Sequence, residues 1–364
     1  MDQDIIQQIN SRLQRIANVL ILNASFTDNL GLLNGKMGIA IFFYHYARYT
    51  GNKTYENFAG ELIDEIYEEI NYGTPADFAN GLTGIGWGIE YLVKNGFVEA
   101  DRDETLKEID NGVFGASLRM PVMISNQNDI LGFGLYYLSR LYGREQIEDD
   151  ISILHLKQIL IYLVDDCERL LVHKKFLDVN IPFLNTAQLN SILYYLLEIH
   201  RLELFPVKVG KLFHYLPSHI EMLVDKNDDW ADKQTLLQFI AKLMKLVSEA
   251  GLKNQFRKIA RLISNMDLQN ENDEAFINQI TRLNWHKLVY TVDFTSNKNL
   301  GKLSEKAMAI VNDEENWNQR LDKLNKDNLG LNNGLAGLGL ALLNEIRKCN
   351  NEEMKELKNE KIAV

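Results

Sequence analysis

One short pattern occurs three times along the chain and limits what it can fold into. Residues 31–41 read GLLNGKMGIAI, residues 79–89 read ANGLTGIGWGI and residues 330–340 read GLNNGLAGLGL. Each holds Asn-Gly-x-x-Gly, then Ile or Leu and a small residue, beginning at Asn34, Asn80 and Asn333. A weaker copy, NDILGFGLYYL, begins at Asn128. Gly35 to Gly81 is 81 − 35 = 46 residues, and Gly35 to Gly334 is 334 − 35 = 299, close to six steps of about 50. A period of this size means stacked or circularly arranged supersecondary units, each too small to bury its own apolar face.

These copies hold Gly31, 35, 38, 81, 84, 86, 88, 132, 134, 330, 334, 337 and 339, which is 13 of the 23 glycines, so the residue is concentrated in them. Glycine inside a helix costs about 1 kcal/mol against alanine. Close approach of a neighbouring helix offsets that cost, because no Cβ holds the axes apart. Asn-Gly before an apolar run also suits a helix start, with the asparagine as cap. The glycines do not make a phosphate loop, since no strand precedes them. Each unit therefore reads as a loop, a glycine-rich inner helix and an amphipathic outer helix.

The rest of the chain carries helical periodicity. Ile5, Ile6, Ile9, Leu13, Ile16 and Leu20 recur every three or four residues, which gives one apolar face. The same spacing returns in Ala59–Ile70, Ile151–Leu163 and Leu236–Val247. Breaks at Asn52-Lys53, Asn95-Gly96 and Asn227-Asp228 punctuate these runs,. About fourteen helices are expected, with Leu288–Val292 as a short strand-like piece,. The fold class is all-α, an α/α toroid (barrel) of about six to seven helical hairpins. Residues 1–349 form a single domain in this reading, and the mixed-charge residues 350–364 a charged C-terminal helix or tail,.

Charge and cysteine content narrow the function. The net charge is −11, which disfavours nucleic acid and anionic membrane surfaces, both of which need clustered cations. No run is long and apolar enough for membrane insertion,. The acidic, polar start MDQDIIQQ is no secretory signal,. A cytoplasmic protein is expected. Cys167 and Cys349 cannot frame a small disulfide fold and lack zinc-ribbon spacing,.

The repeated Gly-x-x-Gly-[Ile/Leu] helix starts, about 50 residues apart, resemble the lanthionine synthetase C-like family from Asn23 to Leu343. That resemblance implies an α/α toroid whose active members hold zinc at one mouth of the barrel. There the metal activates a peptide cysteine, which adds to a dehydrated Ser or Thr to form a thioether ring. Zinc acts by lowering the thiol pKa and keeping an open coordination position.

Repeat by repeat, the chain departs from that pattern. Asp129, in Asn128-Asp129-Ile130-Leu131-Gly132, matches the family's acidic position loosely. The family's Ala-His-Gly element meets Leu184-Asn185-Thr186, so Asn185 stands for its histidine. Its Trp-Cys-x-Gly element meets Trp230-Ala231-Asp232-Lys233, which keeps the tryptophan and replaces the cysteine ligand by Ala231. Its Cys-His-Gly element meets Trp285-His286-Lys287, which keeps only His286. One histidine cannot hold a zinc ion. The expectation is therefore a zinc-free relative with no metal and no other cofactor.

Asp129 and His286 are the candidate catalytic residues for proton transfer, provided they approach within about 10 Å. Asn34, Asn80, Asn185 and Asn333 offer amide donors and acceptors to an extended peptide,, and Trp230 and Trp285 offer flat apolar surface. These six are the candidate substrate-binding residues. The expected partners are a ribosomally synthesised precursor peptide and a separate dehydrating or exporting protein. His45, on an inner-helix segment, reads as a core histidine. The other reading is a carbohydrate-active toroid enzyme with paired carboxylates. It would draw on Asp77, Asp129, Asp178, Asp228 and Asp229, with Phe78, Trp87, Trp230 and Trp285 lining the mouth.

Overall fold

The computed structural model describes residues 3–119, 127–144, 150–172, 184–224, 229–264, 272–292, 294, 305–306, 308–322 and 328–362. Among the described residues the chain is helical with no strand. In order the helices are α1 (Gln3–Asn23), α2 (Lys36–Thr50), α3 (Lys53–Glu69), α4 (Leu82–Lys94), α5 (Arg102–Thr105), α6 (Lys107–Arg119), α7 (Gln127–Leu141) and α8 (Ile151–Val172). Then follow α9 (Thr186–Arg201), α10 (Pro206–Leu212), α11 (Leu216–Val224), α12 (Trp230–Leu246), α13 (Ala250–Ser264), α14 (Asp273–Tyr290), α15 (Glu314–Asp322) and α16 (Leu335–Ile362). The periodic runs fall in α1, α3, α8 and α12. The strand-like Leu288–Val292 is instead the last turn of α14 and the residues after it. Asn227-Asp228 lies outside the described residues.

The chain forms two compact units. The first takes Met1–Asn71, Asn270–Val289 and Phe294–Val364, and the second Tyr72–Gln269 with Tyr290–Asp293. Helix α16 runs through the boundary expected at residue 350.

In the first unit α2 packs against α3 and α16, and α1 against α16. Every residue of α2 from Lys36 to Ala47 is buried, as befits a helix apolar on all sides. By contrast α3 buries only Tyr55, Ala59, Leu62 and Ile66, one stripe of an amphipathic helix,. The one cation in the α2 core is Lys36, paired with Glu65 at 2.9 Å and Glu69 at 2.6 Å. Asn344 donates to Asn284 at 2.7 Å, tying α16 to α14.

In the second unit α4, α7, α9 and α12 pack in succession, with α8, α10 and α13 against that row. Glu90 on α4 and Arg140 on α7, each 4% exposed, pair at 2.7 Å. Arg102 lies 2.6 Å from Glu90, and Asp103 and Asp110 lie 2.8 Å and 2.9 Å from Arg140. A buried guanidinium is tolerated because these partners satisfy it.

The glycines have two physical tasks. The first is within one loop. At the start of α2, Lys36 N donates to Asn29 O at 2.9 Å and Met37 N to Leu30 O at 3.2 Å. At α4, Leu82 N donates to Pro75 O at 2.8 Å, and at α16 Ala336 N to Leu329 O at 3.0 Å. In each case the loop folds back seven residues and offers its carbonyls to the free N–H groups of the first turn. The backbones then lie too close for a side chain. A methyl on Gly35 would sit 2.1 Å from Asn29 O, on Gly81 2.0 Å from Pro75 O, and on Gly337 2.0 Å from Leu331 O. Gly35 and Gly81 have φ of −135° and −128°, so space, not left-handed backbone, requires glycine there.

The second task is the expected helix–helix approach. A methyl on Gly86 of α4 would lie 2.3 Å from the Tyr136 ring of α7, and on Gly134 of α7 2.9 Å from the Tyr195 ring of α9. In the first unit, Gly339 of α16 receives Phe42 of α2 in the same way, at 2.3 Å. Each ring is carried by the next glycine-rich or inner helix.

One expectation needs correction. Asparagine is not the cap of α2 or α4. The N-cap residues are Gly35 and Gly81, with no side-chain cap, and Asn34 and Asn80 lie one residue earlier. Loop carbonyls already serve the N–H groups that an asparagine cap would take.

Candidate functional site

The four asparagines of the repeats differ in surroundings. Asn34 is half-buried before α2. Asn80 is held by Asp77, whose Oδ1 accepts from Ala79 N at 3.0 Å and Asn80 N at 2.8 Å. Asn333 adopts φ of +56°, a left-handed conformation asparagine tolerates better than most residues. Asn185 caps α9: its Oδ1 accepts from Gln188 N at 2.8 Å, while Gln188 Oε1 accepts from Asn185 N at 2.9 Å. This is a reciprocal capping box.

A buried polar cluster lies at the start of α12, in the second unit. Asp229 is the N-cap and accepts from Ala231 N at 2.9 Å. Every residue from Trp230 to Leu236 is buried, including Asp232, Lys233, Gln234 and Thr235. An exposed helix would turn such residues to water, so this first turn is enclosed on all sides. From α9, Asn190 reaches it and donates to Asp232 O at 2.8 Å. Asn190 is 0% exposed. Beside it, Ser191 Oγ and Tyr290 Oη are 2.7 Å apart. The Tyr290 ring meets Tyr194 and Phe239. Burial raises the Tyr290 phenol above its ordinary value, opposed by the Ser191 hydrogen bond and reinforced by Asp232, so it stays protonated.

Trp230 and Asn185 thus belong to the second unit, and Trp285, His286, Asn34 and Asn333 to the first. His286 is 1% exposed. Burial, with the nearby Arg282 charge, holds its pKa well below the usual histidine range, so the ring is neutral. Its ring lies edge-on to Trp285 with centroids 4.1 Å apart. The side chain of Asp129 lies outside the described residues, as do Asp178 and Asp228. Asp77 and Asp229, two of the carboxylates considered for sugar chemistry, hold a loop turn and a helix cap respectively. Phe78 and Trp87 are buried against each other. His45 is 8% exposed and accepts from Arg347 at 3.1 Å. Burial and then the charges of Arg347 and Arg48 push its pKa down to about 3.

Among the described residues the donor set does not fit a zinc site. At the first turn of α12 Ala231 offers no ligand atom. Among the described residues no three His, Cys, Asp or Glu side chains converge as a metal site. Cys167 is buried within α8, and burial pushes its thiol up to about 12. The side chain of Cys349 lies outside the described residues.

Asn190 is the residue that sequence reading passed over. Its signal was a lone amide on the buried face of α9, between Leu189 and Ile192. A polar residue at such a position needs a partner, and here Asp232 O is one.

Comparison with known proteins bears on the repeats. A family model described as lanthionine synthetase C-like protein matches residues 27–175. That stretch spans α2 to α8 and the copies at Asn34, Asn80 and Asn128, and over it the chain is similar to that family. The positions compared above with the family's metal ligands, Ala231 and His286, lie beyond it. No curated protein matches. No described helix is long and apolar enough to cross a membrane.

Proposed function

We propose that this is a zinc-free lanthionine synthetase C-like protein that binds, or helps modify, a ribosomally synthesised peptide. The observation that carries the reading is Ala231. It occupies the first turn of α12, where the resembled family places a cysteine ligand, and Cys167 lies instead within α8 and not at a helix start. The scaffold is retained without its metal chemistry, which suits recognition of a peptide prepared by a separate dehydrating or exporting partner. The toroid expected from the repeats belongs to the same proposal, as do Asn34, Asn80, Asn185, Trp230, Trp285 and Asn333 as peptide contacts. Asp129 and His286 are the first residues to replace in a test for turnover.

The test has two arms. Protein purified without chelator or affinity tag is assayed for zinc by elemental analysis, and a display library of random peptides is selected on it. The expected result is far less than one zinc per chain together with an enriched peptide set. Stoichiometric zinc overturns the metal-free reading. A library that enriches nothing overturns the peptide reading.

A further inference from the structure

Helix α13, in the second unit, is a strongly basic element of an acidic chain. It carries Lys253, Arg257, Lys258 and Arg261 and no acid. The net charge of the chain is −11, so the rest of it sums to −11 − 4 = −15. The helix buries Leu252, Phe256, Ile259 and Ile263 and packs against α11 and α12. The cations take the other side, where Arg257, Lys258 and Arg261 are exposed and Lys253 is half-buried. Among the described residues none of the four is ion-paired, and Arg257 donates to Asn254 Oδ1 at 2.7 Å. Of the acids nearby in the fold, Glu249 pairs with His214 at 2.8 Å, and Glu221 of α11 pairs with none of the four.

Helix stability does not account for this row. Lys253, Arg257 and Arg261 follow at four-residue steps, where like charges are neighbours and destabilise the helix. The helix dipole favours a cation in the last turn, which covers Arg261, but Lys253 stands in the first turn, at the wrong end,. An anion laid along the row relieves both. The row is about 12 Å long, and the chain around it is acidic. A nucleic acid or an anionic membrane would extend past the row into that field, which is felt over about 10 Å at ordinary ionic strength. A short piece of polypeptide need not. We infer that the outer face of α13 is a docking surface for a short acidic segment of a polypeptide partner. Its carboxylates pair with Arg257, Lys258 and Arg261, each arginine offering two parallel N–H groups. An apolar side chain of the same segment rests on Leu262, which is 45% exposed beside Arg261. This surface is separate from the peptide contacts proposed above and does not depend on them.

The probe is a fluorescein-labelled peptide of repeated Glu-Glu-Leu units, titrated into the full-length protein and read by fluorescence anisotropy. The expected result is saturable binding that weakens as sodium chloride is added. Arg257→Glu combined with Arg261→Glu should weaken it at least about tenfold. Arg257→Gln alone should weaken it about threefold. The same single variant should keep or raise the midpoint of urea unfolding, because it removes a like charge between two others, so its loss of binding is not a loss of fold. A lowered midpoint would mean that Arg257 serves the helix itself, and overturns the surface. Absence of binding at low salt overturns it too, as does binding that the double variant leaves intact. Tighter capture of an oligothymidylate, or of vesicles containing phosphatidylserine, that the double variant abolishes overturns the polypeptide partner.

Discussion

The starts of α2, α4 and α16 and the starts of α9 and α12 solve one problem in different ways. Each helix has N–H groups in its first turn that its own ladder cannot satisfy. At α2, α4 and α16 the preceding loop turns back and offers backbone carbonyls seven residues earlier. At α9 and α12 a side chain does the work, Asn185 in one case and Asp229 in the other. Backbone capping brings two main chains within about 3 Å and excludes any Cβ at fixed positions. Side-chain capping leaves the loop at a distance and places no demand on the next residues. The first device writes itself into the sequence as Asn-Gly-x-x-Gly; the second leaves an ordinary Asn or Asp.

The sharpest way to break the comparison is Gly81→Val. Its Cβ would lie 2.0 Å from Pro75 O, and backbone cannot move aside as a side chain can. A loss of about 3 kcal/mol or more in urea unfolding is expected; a loss below about 1 kcal/mol would mean the loop carbonyl is not held there. Next comes Gly86→Ala, which meets side chains alone, the Tyr136 ring at 2.3 Å and Ile109 at 3.0 Å. The ring can shift, but its hydroxyl is held by Asp110 at 2.6 Å, so about 2 kcal/mol is expected by the same measurement.

The core of a backbone-capped helix also has a pH signature. His45 on α2 has a folded pKa of about 3 against an unfolded value of about 6.5. The unfolded chain therefore binds the extra proton between these values, and stability falls as pH drops through that window. Above about pH 6.5 the group contributes no slope. The contribution is at most about 1.4 kcal/mol per pH unit. His45→Gln, which leaves an acceptor for Arg347, should flatten the profile. His286 has the same sign, so the slope should diminish and not vanish.

On the side-chain-capped helices, Asn185→Ala should lower stability by about 1 kcal/mol, with Asn185→Asp nearly neutral. A loss as large as that of Gly81→Val would erase the distinction. Smallest and opposite in sign is Gly60→Ala. Gly60 lies inside α3 with nothing within 4 Å of an added Cβ, so stabilisation of about 0.5–1 kcal/mol is expected. Differential calorimetry of the two proteins resolves it.

The same contrast explains what was legible beforehand. The helical runs were plain, because burial of one stripe on α3 or α8 forces three- and four-residue spacing on the apolar side chains. The glycine loops were plain as repeats. Their cause was not, since Asn-Gly before an apolar run is also how a side-chain cap looks. Only the turned-back carbonyls of Asn29 and Pro75 separate the two. The enclosed start of α12 was half legible: Trp230 stood out as a match to a family element, but Asn190 lies 40 residues away in sequence. No local pattern links Asn190 to Asp232.

One feature of the first unit reaches beyond its packing energy. Helix α1 and helix α2 rest on α16, and Asn332 N donates to Leu33 O at 2.8 Å. During synthesis the first three helices leave the ribosome long before the surface they pack on has been made. All but four residues of the second unit are contiguous, from Tyr72 to Gln269, so that unit has its partners at hand and can close first. The opening seventy residues or so must wait in the cell with their apolar faces open, and that interval is where a chaperone has most to do for this chain.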